Sequence, residues 1–216
     1  ITSLQARRER PADFIGLHFF NPVPVLKLVE LVPSLMTSDE TVERARAYVD
    51  GDLGKHAITC QDRAGFVVNS LLIPFILSAI RMYESGFATA EDIDQGFVLG
   101  AAHPQGPLAL ADLIGLDTTM AVAQSLYEEF KEPLYAPPPL LARMVDANLL
   151  GRKAVAGSGV FVRDGNPGRA RTPGVAFQAG TRWGRMSAGS MPATGTGFFI
   201  ASRRKGSPSS WFSSTS

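Results

Sequence analysis

The chain has 216 residues, 45% of them hydrophobic and 19% charged, which suits one domain or two small ones with a sizeable core. One cysteine, Cys60, excludes an internal disulfide framework and a cysteine-based zinc site, points to a cytoplasmic setting, and leaves no metal site to expect. The opening ITSLQARRERPADF has no apolar core behind its charges, so no signal peptide is expected. The longest apolar run, 66–80, is shorter than a membrane span and carries Asn69, Ser70, Pro74 and Ser78, so no membrane anchor is expected either.

Read in chain order, FIGLHFF (14–20) is an apolar, aromatic-rich run bounded by Asp13 and Asn21-Pro22, the pattern of a buried strand. VLKLVELV (25–32) predicts a second, alternating strand. TSDETVERARAYVDG opens on a Ser or Thr cap with Glu40 and predicts a helix ending near Gly51. KHAITC (55–60) predicts a third strand. From GFVVN the character turns helical. SLLIPFILSAIRMYESG predicts an apolar helix over 70–86, in which Pro74 is tolerable only near the first turn or as a kink. TAEDIDQGFVLG carries the capping pair Thr89 and Asp92 and closes at Gly100. Two more helices are expected within 107–130, on either side of Gly115. A last one begins after the prolines 137–139 and stops at Gly151.

The net charge of +1 hides a break. Residues 1–154 carry 13 Lys+Arg and 19 Asp+Glu, a net −6, whereas 155–216 carry 8 and 1, a net +7. The second stretch has no leucine and no glutamate, holds both tryptophans, Trp183 and Trp211, and sustains no helical or alternating period. It reads as an irregular tail that was not selected to fold with the rest, such as an out-of-frame translation. The functional reading beside it is a basic tail that binds anions without specificity; no specific nucleic-acid contact is expected. No GxGxxG or GxxxxGK[ST] follows a strand anywhere in the chain, so a phosphate-cradling turn is missing.

His18 raises the chemical question. A buried imidazole between Leu17 and Phe19, ahead of Asn21-Pro22, is costly unless something satisfies it. On the residues alone, a structural histidine with a partner is the commoner case; Glu30 could face solvent, and Asn69 could cap the helix that follows. His56 and His103 read as structural, and Cys60 as a small buried residue.

GLHFFNPVPVLKLVELV, DRAGFVVNSLLIPFILSAI, EDIDQGFVLGAAHPQGPLALADLIGLDTT and LLARMVDANLLGRK resemble consecutive blocks of the 3-hydroxyacyl-CoA dehydrogenase family, nearest to bacterial 3-hydroxybutyryl-CoA dehydrogenases. The resemblance runs from Ile1 to about Lys153. It implies an α/β fold followed by an all-α one, the last strands of a Rossmann NAD-binding domain over 1–62 and a helical dimerisation domain over 63–154, and the irregular tail over 155–216 departs from it. It also implies that the glycine-rich fingerprint and a substrate-contacting serine fall upstream of Ile1. After Lys153 the family pattern expects a short glycine-rich stretch ending in Gly-Phe-Tyr, where this chain has AVAGSGVF.

Oxidising a secondary alcohol requires a base for the hydroxyl proton while hydride leaves, and an imidazole suits both directions. A carboxylate can hold that ring in one tautomer and stabilise the imidazolium. Glu30, on the neighbouring strand, can face His18 across the pair. The resemblance implies this His18–Glu30 pair, Asn69 as the hydrogen-bond donor to the substrate carbonyl, and Asn21 and Lys153 as NAD contacts. The implied activity is NAD-dependent oxidation of (S)-3-hydroxyacyl-CoA, 3-hydroxybutyryl-CoA first, in fatty-acid metabolism, with an acyl-CoA substrate, a homodimer, and this chain as an inactive fragment. The alternatives are a non-catalytic dimerising remnant and a relative of gulonate dehydrogenase and lens crystallin.

Overall fold

The computed structural model describes residues 1–6, 9–152, 159–161, 198–203 and 211–213. A short helix, α1 (Thr2–Gln5), and a 3-10 turn, Pro11–Asp13, lead into strand β1 (Phe14–Phe19), which is buried at every position. Strand β2 (Leu28–Pro33) runs antiparallel to it, in a register that sets Leu17 opposite Leu31 and His18 opposite Glu30.

The sequence predicted β2 over 25–32 with one face to solvent. It starts later, because Pro22 and Pro24 have no N–H to give a ladder and residues 23–25 form a turn. Val29, Glu30, Leu31 and Val32 are all buried. Helix α2 (Asp39–Ala47), capped by Ser38 on the Thr41 N–H, runs into a π-helical turn, Tyr48–Asp52. These two elements cover the sheet face of Ile15, Leu17, Val29 and Leu31 with Ala45 and Val49. Strand β3 (His56–Thr59) adds to β2 in parallel.

The tail changes one expectation. Most of 155–216 lies outside the described residues, but two strands, β4 (Phe198–Arg203) and β5 (Trp211–Ser213), join the sheet in the order β3-β2-β1-β4-β5. β4 lies antiparallel to β1. The edge of β1 presents a row of backbone donors and acceptors that any extended apolar stretch can satisfy, and FFIAS is such a stretch. No period within the tail announces a pairing of this kind, because its partner is some 180 residues away.

The rest is helical: α3 (Val68–Glu84), α4 (Ala90–Gly100), α5 (Pro107–Ile114), α6 (Leu116–Phe130) and α7 (Pro139–Asp146). Ile76, Leu77, Ile80, Leu108, Leu126 and Leu141 form the centre of their common core. Pro74 lies inside α3, beyond its first turn and buried, and its carbonyl accepts from Ser78 Oγ at 2.8 Å. Thr89 caps α4 as its spacing predicts, taking the Asp92 N–H at 3.1 Å. α7 stops well short of Gly151, at a turn where Asn148 has a φ of +57°. No helix among the described residues is long and apolar enough to cross a membrane.

Candidate active site

The strand register brings the one titratable residue of β1 and the one of β2 together. Glu30 Oε2 lies 2.6 Å from His18 Nδ1, with His18 only 2% exposed and Glu30 fully buried. Neither could stay buried without the other. A carboxylate oxygen accepts, so Nδ1 carries the proton and Nε2 is the nitrogen left to exchange one with a substrate. Two aromatic rings flank the imidazole: Phe20, edge-on with centroids 4.7 Å apart, and Phe66, tilted at 5.1 Å.

The other oxygen of Glu30 leaves the sheet altogether. Oε1 accepts from the N–H groups of Val67 at 3.1 Å and Val68 at 3.0 Å, at the start of α3. Helix N-termini carry donors with no partner inside the helix, and an anion there is favoured by the aligned peptide dipoles. This corrects one sequence expectation: Asn69 is not the cap of α3. The helix begins earlier, at Val68 with Val67 as its N-cap residue and no capping side chain, because Glu30 fills that role from another element. Asn69 is half-buried in the first turn, directly after Val68. The site therefore gathers His18, Glu30 and the turn that bears Asn69.

Asn21 is exposed, just past the end of β1, where a cis peptide joins it to Pro22. Lys153 lies outside the described residues. His56 and His103 are both exposed, and His103 packs against Phe75 and Phe97 rather than against the pair. Cys60 is half-buried; its burial, and then the Glu30 carboxylate, push its thiol up to about 11. It is a poor nucleophile at neutral pH. Among the described residues no cluster of three or more His, Cys, Asp or Glu could hold a metal ion.

Sequence reasoning did not single out Phe20, Phe66 or the N–H groups of Val67 and Val68. One signal was present: a strongly apolar helix that opens on Gly65-Phe66-Val67-Val68 has no side chain to cap it. Its first N–H groups must then be taken by something distant.

Comparison with known proteins decides the family. The profile of the 3-hydroxyacyl-CoA dehydrogenase NAD binding domain matches residues 1–63, and that of the 3-hydroxyacyl-CoA dehydrogenase C-terminal domain matches residues 65–160. Residues 1–160 belong to the 3-hydroxyacyl-CoA dehydrogenase family. This dehydrogenase-family chain is 54% identical over 157 residues to a 3-hydroxybutyryl-CoA dehydrogenase of Mycobacterium tuberculosis, covering 73% of this chain and 55% of the relative. It is 46% identical over 158 residues to the human mitochondrial hydroxyacyl-coenzyme A dehydrogenase, covering 73% and 50%. The crystal structure of M. tuberculosis FadB2 superposes with a TM-score of 0.72 at 52% identity, over 76% of this chain and 56% of that one. That of the (S)-3-hydroxybutyryl-CoA dehydrogenase of Ralstonia eutropha gives 0.71 at 50%, over 76% and 57%. The chain spans about half the length of the curated relatives it matches. The match to the C-terminal domain continues past Lys153, to residue 160.

The residues present fit one end of the family's cofactor. Asn21 is an exposed residue just beyond the carboxyl end of β1. His18 is three residues before it. For the pyrophosphate the sequence carries neither GxGxxG nor GxxxxGK[ST].

Proposed function

We propose that this chain carries the proton-transferring part of an NAD-dependent (S)-3-hydroxyacyl-CoA dehydrogenase, oxidising 3-hydroxybutyryl-CoA and related thioesters to 3-ketoacyl-CoA in fatty-acid metabolism. The observation that carries the proposal is the 2.6 Å bond between His18 Nδ1 and Glu30 Oε2, in a pair that is otherwise withdrawn from solvent. When bound, NAD supplies the acceptor for the hydride that leaves the substrate carbon. His18 Nε2 takes the hydroxyl proton, and the ring becomes an imidazolium held against the Glu30 carboxylate. In the reverse direction the same nitrogen returns the proton. Asn69 donates a hydrogen bond to a substrate carbonyl oxygen and polarises it. Asn21 contacts the nicotinamide end of the cofactor, and Lys153 is a second cofactor contact.

In this reading residues 1–62 and 63–154 are the two domains that meet at the site, and the setting is cytoplasmic. The helical domain associates as a homodimer. What supports this is its surface, where Leu71, Phe87 and Leu99 are more than 70% exposed. Sedimentation of the chain at micromolar concentration is expected to give a two-fold dimer.

The test of the activity is a fusion in which the N-terminal part of the mycobacterial relative precedes residues 1–160. It is expected to reduce NAD with 3-hydroxybutyryl-CoA, and His18→Gln is expected to lower turnover by roughly 10²–10⁴-fold with NAD affinity little changed. A His18→Gln fusion that keeps more than about a tenth of the turnover overturns the assignment.

A further inference from the structure

Phe66 stands in an improbable place. Its φ is +48°, directly after Gly65 at +77°, so two consecutive residues adopt the left-handed region before Val67 returns to the right-handed one. Glycine takes that conformation freely, whereas a bulky residue with positive φ is a rare outlier that its surroundings must enforce. Gly65 cannot be anything else: a Cβ there would lie 2.9 Å from the Ser70 backbone nitrogen. Phe66 is a different case, because a glycine would serve the backbone better. The ring is also not part of the general core. Among the described residues Phe66 belongs to neither of the two hydrophobic clusters, the one under the sheet or the one among the helices. Its ring meets the His18 imidazole, at 5.1 Å and 50° between planes, on a histidine that Phe20 also flanks.

The backbone at the same residue has a second effect. An alternation of left-handed and right-handed residues turns successive N–H groups toward one point and forms a concavity that suits an anionic oxygen. Here the alternation is Phe66 then Val67, and the oxygen is Glu30 Oε1, which accepts from Val67 and Val68. The turn is fixed at both ends, by the Phe66 N–H on the Arg63 carbonyl and the Ser70 N–H on the Gly65 carbonyl.

We infer that Phe66 is a positioning residue for the His18–Glu30 pair and acts on both members at once: its ring bears on the imidazole, and its left-handed backbone aims the helix N–H groups at the carboxylate. Through it the start of the helical domain sets the geometry of the proton-transferring pair on the sheet. The inference rests on the reading of His18 as the base. A tilt of the ring or a drift of the carboxylate both lengthen the same Nδ1 bond, so that bond is the place to observe the effect.

The experiment uses the full 216-residue chain labelled with 15N in histidine. There are only three histidines, His18, His56 and His103, and the last two are exposed. The His18 Nδ1 proton, assigned by its loss in His18→Gln, is expected to exchange slowly with water. Phe66→Gly keeps the turn and removes the ring, and Phe66→Leu keeps apolar bulk without the flat face. Both are expected to speed Nδ1 exchange at least tenfold at a temperature well below melting, with circular dichroism unchanged. If the glycine variant does not fold, the leucine variant alone decides. Exchange at the original rate in the folded variants, whatever their melting temperature, overturns the inference, because a packing residue changes stability without changing that bond. The two readings fail separately: a His18→Gln fusion with full turnover removes the base assignment, and an unmoved exchange rate removes the role of Phe66.

Discussion

Glu30, on the second strand of the sheet, accepts a hydrogen bond from the Val68 N–H, at the head of the first long helix, at 3.0 Å. The same carboxylate holds His18 on its other oxygen. Glu30→Gln separates these two tasks. A glutamine has one acceptor oxygen and one NH₂ donor, so it can satisfy the helix N–H groups or accept from Nδ1, but not both. With its oxygen on the helix, its NH₂ faces Nδ1, forces the other tautomer, and leaves Nε2 protonated where a base is needed. Turnover of the fusion enzyme is expected to fall by roughly 10²–10⁴-fold while its melting temperature changes little. Glu30→Ala leaves two N–H groups without an acceptor, at about 1–3 kcal/mol each, so it is expected to lose stability as well. A glutamine variant with near-normal kcat would show that Glu30 serves the fold alone.

Cys60 reports on the same carboxylate. Its thiol is raised from 9.0 to about 11, by burial first and by Glu30 second, with Asp62 a lesser contributor. Only about one molecule in a thousand carries the thiolate at pH 8, so alkylation by iodoacetamide is expected to be slow and to quicken nearly tenfold per pH unit up to pH 10. Glu30→Gln removes a repelling charge and is expected to speed the reaction at pH 9. The sign for stability follows from the same shift. The folded chain holds this proton more tightly than the unfolded one, so the stabilisation is complete below the ordinary thiol value and is lost as pH rises toward about 11. A rate independent of pH across this range would contradict the shift.

The site was legible in the sequence where it depends on strand pairing. Two apolar runs separated by a proline-rich turn must pair antiparallel, and a register that faces Leu17 with Leu31 also faces His18 with Glu30. It was not legible where it depends on contacts between elements. Nothing local to LKLVELV says that Glu30 will meet a helix start 37 residues later, and that contact is what moved the cap away from Asn69. The left-handed Phe66 was hidden for the same reason, since a propensity favours the ordinary conformation and only tertiary contacts override it. The pairing of β4 with β1 depends on an edge and not on a period.

Binding of the cofactor by the chain alone should be weak. Most of the affinity for a dinucleotide comes from a pyrophosphate held on a glycine-rich turn and a helix N-terminus, and the sequence carries neither GxGxxG nor GxxxxGK[ST]. In the proposed function Asn21 and His18 meet the nicotinamide end alone, too few contacts to offset the cost of ordering a large flexible ligand. Calorimetric titration of the 216-residue chain with NADH is expected to show no saturable binding in the micromolar range, and no turnover above background. Saturable binding would mean that other residues of the chain hold the phosphates.

Asp94 performs for the helix over 107–114 the task that Glu30 performs for the helix over 68–84. Its two oxygens accept from the Leu108 and Ala109 N–H groups at 2.8 and 2.9 Å, and it is 9% exposed. Gly106 makes this possible by leaving space, since a Cβ there would lie 2.3 Å from the Asp94 Cγ. Asp94→Ala orphans two buried donors, at about 1–3 kcal/mol each. Gly106→Ala must push the carboxylate off the same donors and is expected to be comparably destabilising. Urea denaturation followed by circular dichroism measures both. Losses below about 0.5 kcal/mol, the ordinary surface range, would contradict the capping role.

Asp112 closes the helical module onto the segment that follows it. It is fully buried, and its carboxylate accepts from the N–H groups of Val160 and Phe161 at 2.9 Å each. Its own carbonyl accepts from the Arg152 N–H at 3.0 Å. Two points of the chain on either side of Lys153 are therefore tied to one residue, and the Phe161 ring adds an edge contact to Tyr83 at 5.5 Å. A hydrogen bond to a charged group contributes about 1.5–3 kcal/mol, and about 1.4 kcal/mol is a factor of ten in an opening equilibrium. Asp112→Ala is thus expected to speed amide exchange at Val160 and Phe161 by at least about tenfold. Amides inside the helix over 68–84 should keep their rates, because their hydrogen bonds do not involve Asp112. Asp112→Asn keeps one acceptor and should fall between the two. Unchanged exchange at Val160 in the alanine variant would show that the ring contact, and not the carboxylate, holds the segment in place.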